Sequence, residues 1–169
     1  MSVIQALLGE LEHEARTTRR MLERLPEGKF GWRPHERSMT LGQLALHVAQ
    51  TPGGLASAAM QSPMQLPNFT QPQAASVSEL VATHDASIAT AKEIVAAIDE
   101  KRLGDLWRVV DGDREITAMP IGAVLRSLML NHWYHHRGQL SVYMRELGVP
   151  VPSIYGPSAD ENPFAVAAA

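Results

Sequence analysis

The 169-residue chain contains no cysteine. Disulfides, thiolate metal ligands and a cysteine nucleophile are thereby excluded, and a reducing cytoplasm is the expected compartment. Aromatic residues are scarce, with three each of Trp, Tyr and Phe, which favours aliphatic helix packing over a β-sandwich. No run approaches the roughly 18 uninterrupted apolar residues of a membrane span. The opening stretch MSVIQALLGELEHEARTTRR also lacks the charged-then-apolar order of a signal peptide. No membrane partner is therefore expected. Cations are not in excess either: the formal charge is −3 and the arginines are dispersed, leaving no footprint for nucleic acid. Internal repeats and the P-loop, GxSxG and HExxH patterns are absent. The length suits one domain, residues 1–169.

What is present is histidine, seven in all, three of them in PIGAVLRSLMLNHWYHHRGQLSVYMRELG. This stretch reads as one long helix, with Pro120 at its first position and Gly148 just past its end. At about 100° per residue from His132, Ile121, Leu125, Leu128 and Tyr143 fall within roughly 40°. They predict an apolar stripe about 120° wide with His132 at its centre. His136 lies about 40° to one side and His135 about 60° to the other, while Arg126, Arg137 and Arg145 fall on the opposite, polar side. Residues four apart stack with Cβ atoms about 5–6 Å apart. Two such imidazoles can converge on one cation at about 2.0–2.1 Å. His132 and His136 are thus half of a metal site. Two core histidines bonded to the backbone explain the spacing equally well, and only a third ligand elsewhere decides.

Taken in order, Ser2 caps a first helix from Val3 to about Leu25, with Ile4, Leu7, Leu8, Leu11, Ala15, Leu22 and Leu25 on its apolar face. His13 falls on the polar face among Glu10, Glu12 and Glu14. Residues 26–39 form a loop in which Trp32 plugs the end of a helix pair and His35 is exposed; a site-lining role for either is the weaker alternative. Thr40 caps a second helix whose face is Leu41, Leu44, Val48 and Leu55. His47 stands at the edge of that face beside small residues, Thr51, Gly54 and Ala58, with room for a ligand's open position. Pro52 should break or kink this helix just after His47.

Residues 62–76 read as a long crossover loop. Ser76 or Ser78 caps a third helix to about Glu100, with Val77, Leu80, Val81, Ile88, Ala91, Val95 and Ile98 as its stripe. His84, at the middle of that stripe, is either a core residue or a proton-transfer group. LWRVVDGDREITAMP alternates about Asp111-Gly112-Asp113 as a hairpin leading into the fourth helix. Asp111 and Asp113 make the turn and are poor metal ligands. Residues 149–169, with four prolines, form an extended tail across the bundle that ends in loose alanines.

TLGQLALHVA on the second helix, together with LNHWYHHRGQLSVYMRELGVPVPSIYGPSADE on the fourth, resembles the DinB/YfiT-like superfamily of metalloenzymes, over roughly Leu25 to Glu161. The resemblance implies an all-α, up-down-down-up four-helix bundle, here with a short β-hairpin before the last helix. It also implies a divalent metal held by one histidine of the second helix and two of the fourth: His47, His132 and His136. It selects His136 over His135, and it implies a homodimer. Its better understood relatives transfer or isomerise with low-molecular-weight thiols such as bacillithiol or mycothiol.

Three imidazoles suit Zn, Ni or Fe and leave a position open. Two chemistries follow, activation of water for hydrolysis and activation of a thiol for attack on an electrophile. His84, His135 or a water is the candidate proton carrier. A non-catalytic metal-binding bundle is the alternative. It predicts a closed site with a fourth protein ligand such as His84, whereas an enzyme predicts an open funnel beside Gly53-Gly54.

Overall fold

Ser2 accepts a hydrogen bond from the Gln5 backbone N–H while the Gln5 side chain accepts from the Ser2 N–H, a capping box that starts the first helix. The computed structural model describes residues 2–165. The last alanines, expected as a loose tail, lie outside the described residues. Helix α1 spans Val3–Leu22, α2 Leu41–Ala59 and α3 Val77–Ala97. Thr40 and Gln43 repeat the capping box at the start of α2, and Ser76 caps α3. All three caps fall where the sequence puts them, although α1 and α3 each end about one turn earlier than expected.

The fourth helical stretch departs most from expectation. Pro120 precedes its first residue, and a single turn, α4 (Ile121–Ala123), leads into a π-helical segment, Val124–Asn131. The regular helix α5, His132–Glu146, begins at the first of the clustered histidines. A π-helical segment winds more loosely than an α-helix, so angles counted at a constant 100° do not carry across it. Within α5 the buried residues are Trp133, Arg137, Leu140 and Met144. Their centre lies about 110° round the helix from His132. His132 and His136 therefore sit at the edge of the buried stripe and not at its centre.

Arg137, expected on the polar face, is only 1% exposed. Its partner is Glu14 of α1, also expected to be solvated and also buried, with guanidinium and carboxylate 2.5 Å apart. Arg137 further donates to the Glu14 carbonyl, to Thr18 Oγ1 at 3.2 Å and to Tyr155 Oη at 2.6 Å. One acidic and one basic residue, each from a face expected to be polar, neutralise each other inside the bundle.

Pro52 does not break α2, which is assigned as one helix from Leu41 to Ala59. The Gly53 N–H just beyond it donates to Ser87 Oγ of α3 at 2.8 Å. A Cβ at Gly53 would lie 2.7 Å from the Ser87 carbonyl oxygen. Pro52-Gly53 therefore marks a close approach of two helices.

The hairpin forms as expected, β2 (Leu106–Asp111) antiparallel to β3 (Arg114–Pro120). Gly112 takes a positive φ of 60° and Asp113 does not, the backbone pattern of a II′ turn. The crossover loop contributes a short strand, β1 (Met64–Gln65), parallel to β2, so the sheet has three strands. Beyond α5 the tail buries Val151 and is tied down by Asp160 on Arg145 and by Glu161 on Arg20 and Arg24. The whole is mostly helical, with four helical stretches and a small sheet. Among the described residues no helix is long and apolar enough to cross a membrane.

Candidate metal centre

The capped start of α2 sets His47 in its second turn, and the start of α5 sets His132 and His136 one turn apart. One ring nitrogen from each of the three lies within 4.8 Å of the others. The imidazole centroids are 4.4 to 5.2 Å apart, and His132 Nε2 is 2.7 Å from His136 Nε2. The outer nitrogen of His136 is already committed, Nδ1 donating to Gln139 Oε1 at 2.7 Å. At His136, donation from Nδ1 leaves the lone pair on Nε2, facing His132. Two ring nitrogens at that distance need a proton or a cation between them. His47 Nε2 is buried with no hydrogen-bond partner, an arrangement that costs free energy unless it is satisfied.

Burial lowers the pKa of all three rings. His47 falls to about 4, the nearby His136 and His132 adding to the effect of burial. At His132 and His136 the bonds to Leu128 and Gln139 partly oppose the depression. At neutral pH all three are thus in the uncharged form that ligates a metal. The orphaned nitrogen and the all-imidazole donor set fit a divalent ion such as Zn, Ni or Fe.

The other histidines stand apart from this cluster. His84 is 2% exposed on α3, packed against Trp133, with Nδ1 beside Asp85 and Nε2 unpartnered. His135 is exposed next to His136, the rings 5.0 Å apart. His13 is solvated, and His35 is exposed in the 26–39 loop. Trp32 is half-buried, edge-on against Tyr143 of α5.

Two cavities of unlike character adjoin the cluster. One, about 770 Å³, is lined by His47, His132 and Gly54 together with side chains of the crossover loop, the sheet and the π-helical segment. The other, about 570 Å³, is lined by His136, Gln139 and Tyr143 and by Arg33, Glu36 and Arg37 of the 26–39 loop. Neither the loop's arginines nor the sheet's contribution stood out in the sequence. Gln139 could have been found, since it lies three residues after His136 and so shares its face.

Comparison with known proteins places the chain by family and fold. The DinB family profile matches residues 1–163. YrdA, an uncharacterised protein of Bacillus subtilis strain 168, is 29% identical over 151 residues, covering 89% of this chain and 86% of its own. A DinB-like protein from Bacillus cereus ATCC 10987 superposes with a TM-score of 0.69 at 24% identity, covering 89% of this chain and 97% of that one. A protein described as a member of the DinB family, from Exiguobacterium sibiricum 255-15, gives 0.66 at 20% identity, with 90% and 97% covered. These two structures show the shared fold. With the family profile spanning nearly its whole length, the chain belongs to the DinB family.

Proposed function

We propose that the protein is a metal-dependent enzyme that transfers a low-molecular-weight thiol to an electrophile, with His47, His132 and His136 as the metal ligands. The observation that carries this reading is the pair of Nε2 atoms 2.7 Å apart, His136 held by Gln139 through its outer nitrogen, beside the orphaned Nε2 of His47. A bound divalent ion supplies Lewis acidity, which stabilises a thiol in its nucleophilic, deprotonated form. The chain's own residues do the rest. Gln139 orients the His136 imidazole, and the cleft of Arg33, Gln43 and Tyr143 receives a polar thiol on the His136 side. In the transfer the sulfur's electron pair forms the S–C bond. The electrons of the breaking bond depart with the leaving group, and the thiol proton passes to water or to a histidine. His135 is exposed for that task; His84, sealed against Trp133, is the alternative carrier.

Two open cavities support an enzyme over a closed, purely structural site, since His84 lies outside the cluster of three. Metal-dependent hydrolysis is the second reading, favoured by Glu36, a carboxylate lining the same cleft as His136. We further propose a cytoplasmic homodimer acting on small molecules and not on nucleic acid, with helices running up-down-down-up. The long connection over residues 60–76 is what two parallel neighbours, α2 and α3, require.

The test is direct. Untagged protein is purified, its metal content measured, and the metal-loaded form assayed with several thiols and chlorodinitrobenzene. The expected result is about one divalent ion per chain and a conjugation rate that disappears in the His132→Ala variant. No rate above background with any thiol overturns the transfer reading, and no bound metal overturns the site.

A further inference from the structure

The larger cavity has no charged residue in its lining. Its walls come from five parts of the chain: α2 through Leu55 and Ala58, the crossover loop through Leu66 and Phe69, the sheet, the π-helical segment through Leu128, and α5 through His132. At its base Trp107 and Val109 are nearly inaccessible, and Trp107 Nε1 is satisfied by the Ala58 carbonyl at 2.8 Å. Thr51, one of the few polar residues there, already donates its hydroxyl to the His47 carbonyl at 2.6 Å.

The sheet is built to face this space. Val109 pairs with Thr117 and Val110 with Glu115, so Ile116 is an extra residue, a β-bulge. Successive strand side chains normally point to opposite faces. A bulge re-aims one of them, and both Ile116 and Thr117 line the cavity. The crossover loop is held beside them by the pairing of β1 with β2 and by the Leu66 N–H on the Val110 carbonyl at 2.7 Å.

We propose that this cavity is the binding site of the acceptor substrate, and that the acceptor is an uncharged, predominantly apolar small molecule. This rests on the transfer reading above and names the class of electrophile. About 770 Å³ lies within the range of roughly 300–1,000 Å³ typical of small-molecule sites. Away from the wall formed by the metal ligands, a carboxylate or ammonium group entering it would lose its hydration with no partner of opposite charge. His47 and His132 form part of the wall, so a molecule seated there lies against the metal ligands, while the charged cleft adjoins His136 from another side. The two reactants thus reach the centre through openings of opposite polarity. Phe69 (80% exposed), Leu66 and Ile116 form an apolar rim that suits entry of a lipophilic molecule.

The experiment uses the full chain in metal-free and metal-loaded forms, with Nile red as an uncharged fluorescent probe and 1-octanol, octanoate and octylammonium as competitors. Saturable Nile red binding is expected in both forms. From the metal-free form, octanol should displace it at least about tenfold more effectively than either charged analogue. Ile116→Glu and Leu66→Glu, both at exposed rim positions, should each weaken Nile red binding at least about tenfold, with melting temperature confirming that they fold. Val142→Glu, exposed on α5 away from the cavity, should leave binding unchanged. Equal displacement by octanoate from the metal-free form, or insensitivity to both rim variants, overturns the proposal. So does probe binding that falls as the protein self-associates, because the face is then an interface between copies. Saturable, charge-selective probe binding without thiol transfer would leave the cavity assignment standing and fault only the transfer reading. Transfer activity with indiscriminate probe binding would do the reverse.

Discussion

Gln139 illustrates how one residue sets the chemistry of another. By accepting from His136 Nδ1 it holds the ring's orientation and tautomer, leaving Nε2 to face His132. Gln139→Leu is expected to weaken Zn2+ binding by about 10- to 100-fold without unfolding the protein, as measured by calorimetric titration. The same scale decides the response to pH. Burial depresses His47 to about 4 and lowers His84, His132 and His136, whereas the unfolded chain titrates near the ordinary histidine value of about 6.5. Below that value the unfolded state binds more protons than the folded one, so stability falls as pH falls. For His47 the loss runs from about 6.5 down to about 4 and then levels off. Metal-free protein should therefore lose stability toward low pH by up to about 1.4 kcal/mol per unit for each such histidine. Urea unfolding at pH 7.5, 6 and 5 checks this; a flat profile would contradict it.

At the scale of elements, the Glu14–Arg137 pair joins α1 to α5 and reaches the tail through Tyr155. Removing one partner strands a buried charge, which typically costs about 3–5 kcal/mol. Arg137→Met is expected to lower the urea midpoint accordingly, and the double variant Glu14→Leu with Arg137→Met should recover much of the loss. The α2–α3 contact at Gly53 is equally exacting. Gly53→Ala drives a methyl into the Ser87 backbone, and a loss of about 1–3 kcal/mol is expected in the same assay. The π-helical segment is the element that no periodicity rule anticipates. A regular helix and a π-helical one share the same apolar residues, and only packing against α2 and its other neighbours selects between them.

For the whole molecule, a metal would tie α2 to α5 across the bundle, because its three ligands come from both. Any ligand bound only by the folded state stabilises it, by about 2.7 kcal/mol at a hundred times its Kd. Saturating Zn2+ should therefore raise the melting temperature, a chelator should reverse the rise, and His47→Ala should abolish it.

Residues close in sequence were legible beforehand: the caps at Ser2, Thr40 and Ser76, the turn at Gly112, and the histidines one turn apart on α5. These rest on local hydrogen bonds and on a periodicity that each segment carries within itself. Tertiary structure alone decided which side of α5 is buried, because Arg137 enters the core only when Glu14, 123 positions away, is there to neutralise it. It also decided the convergence of His47 with the α5 pair and the union of loop, bulge and π-helical turn around one apolar cavity. Each joins residues remote in sequence, and the energy that selects such contacts exists only once the chain has packed.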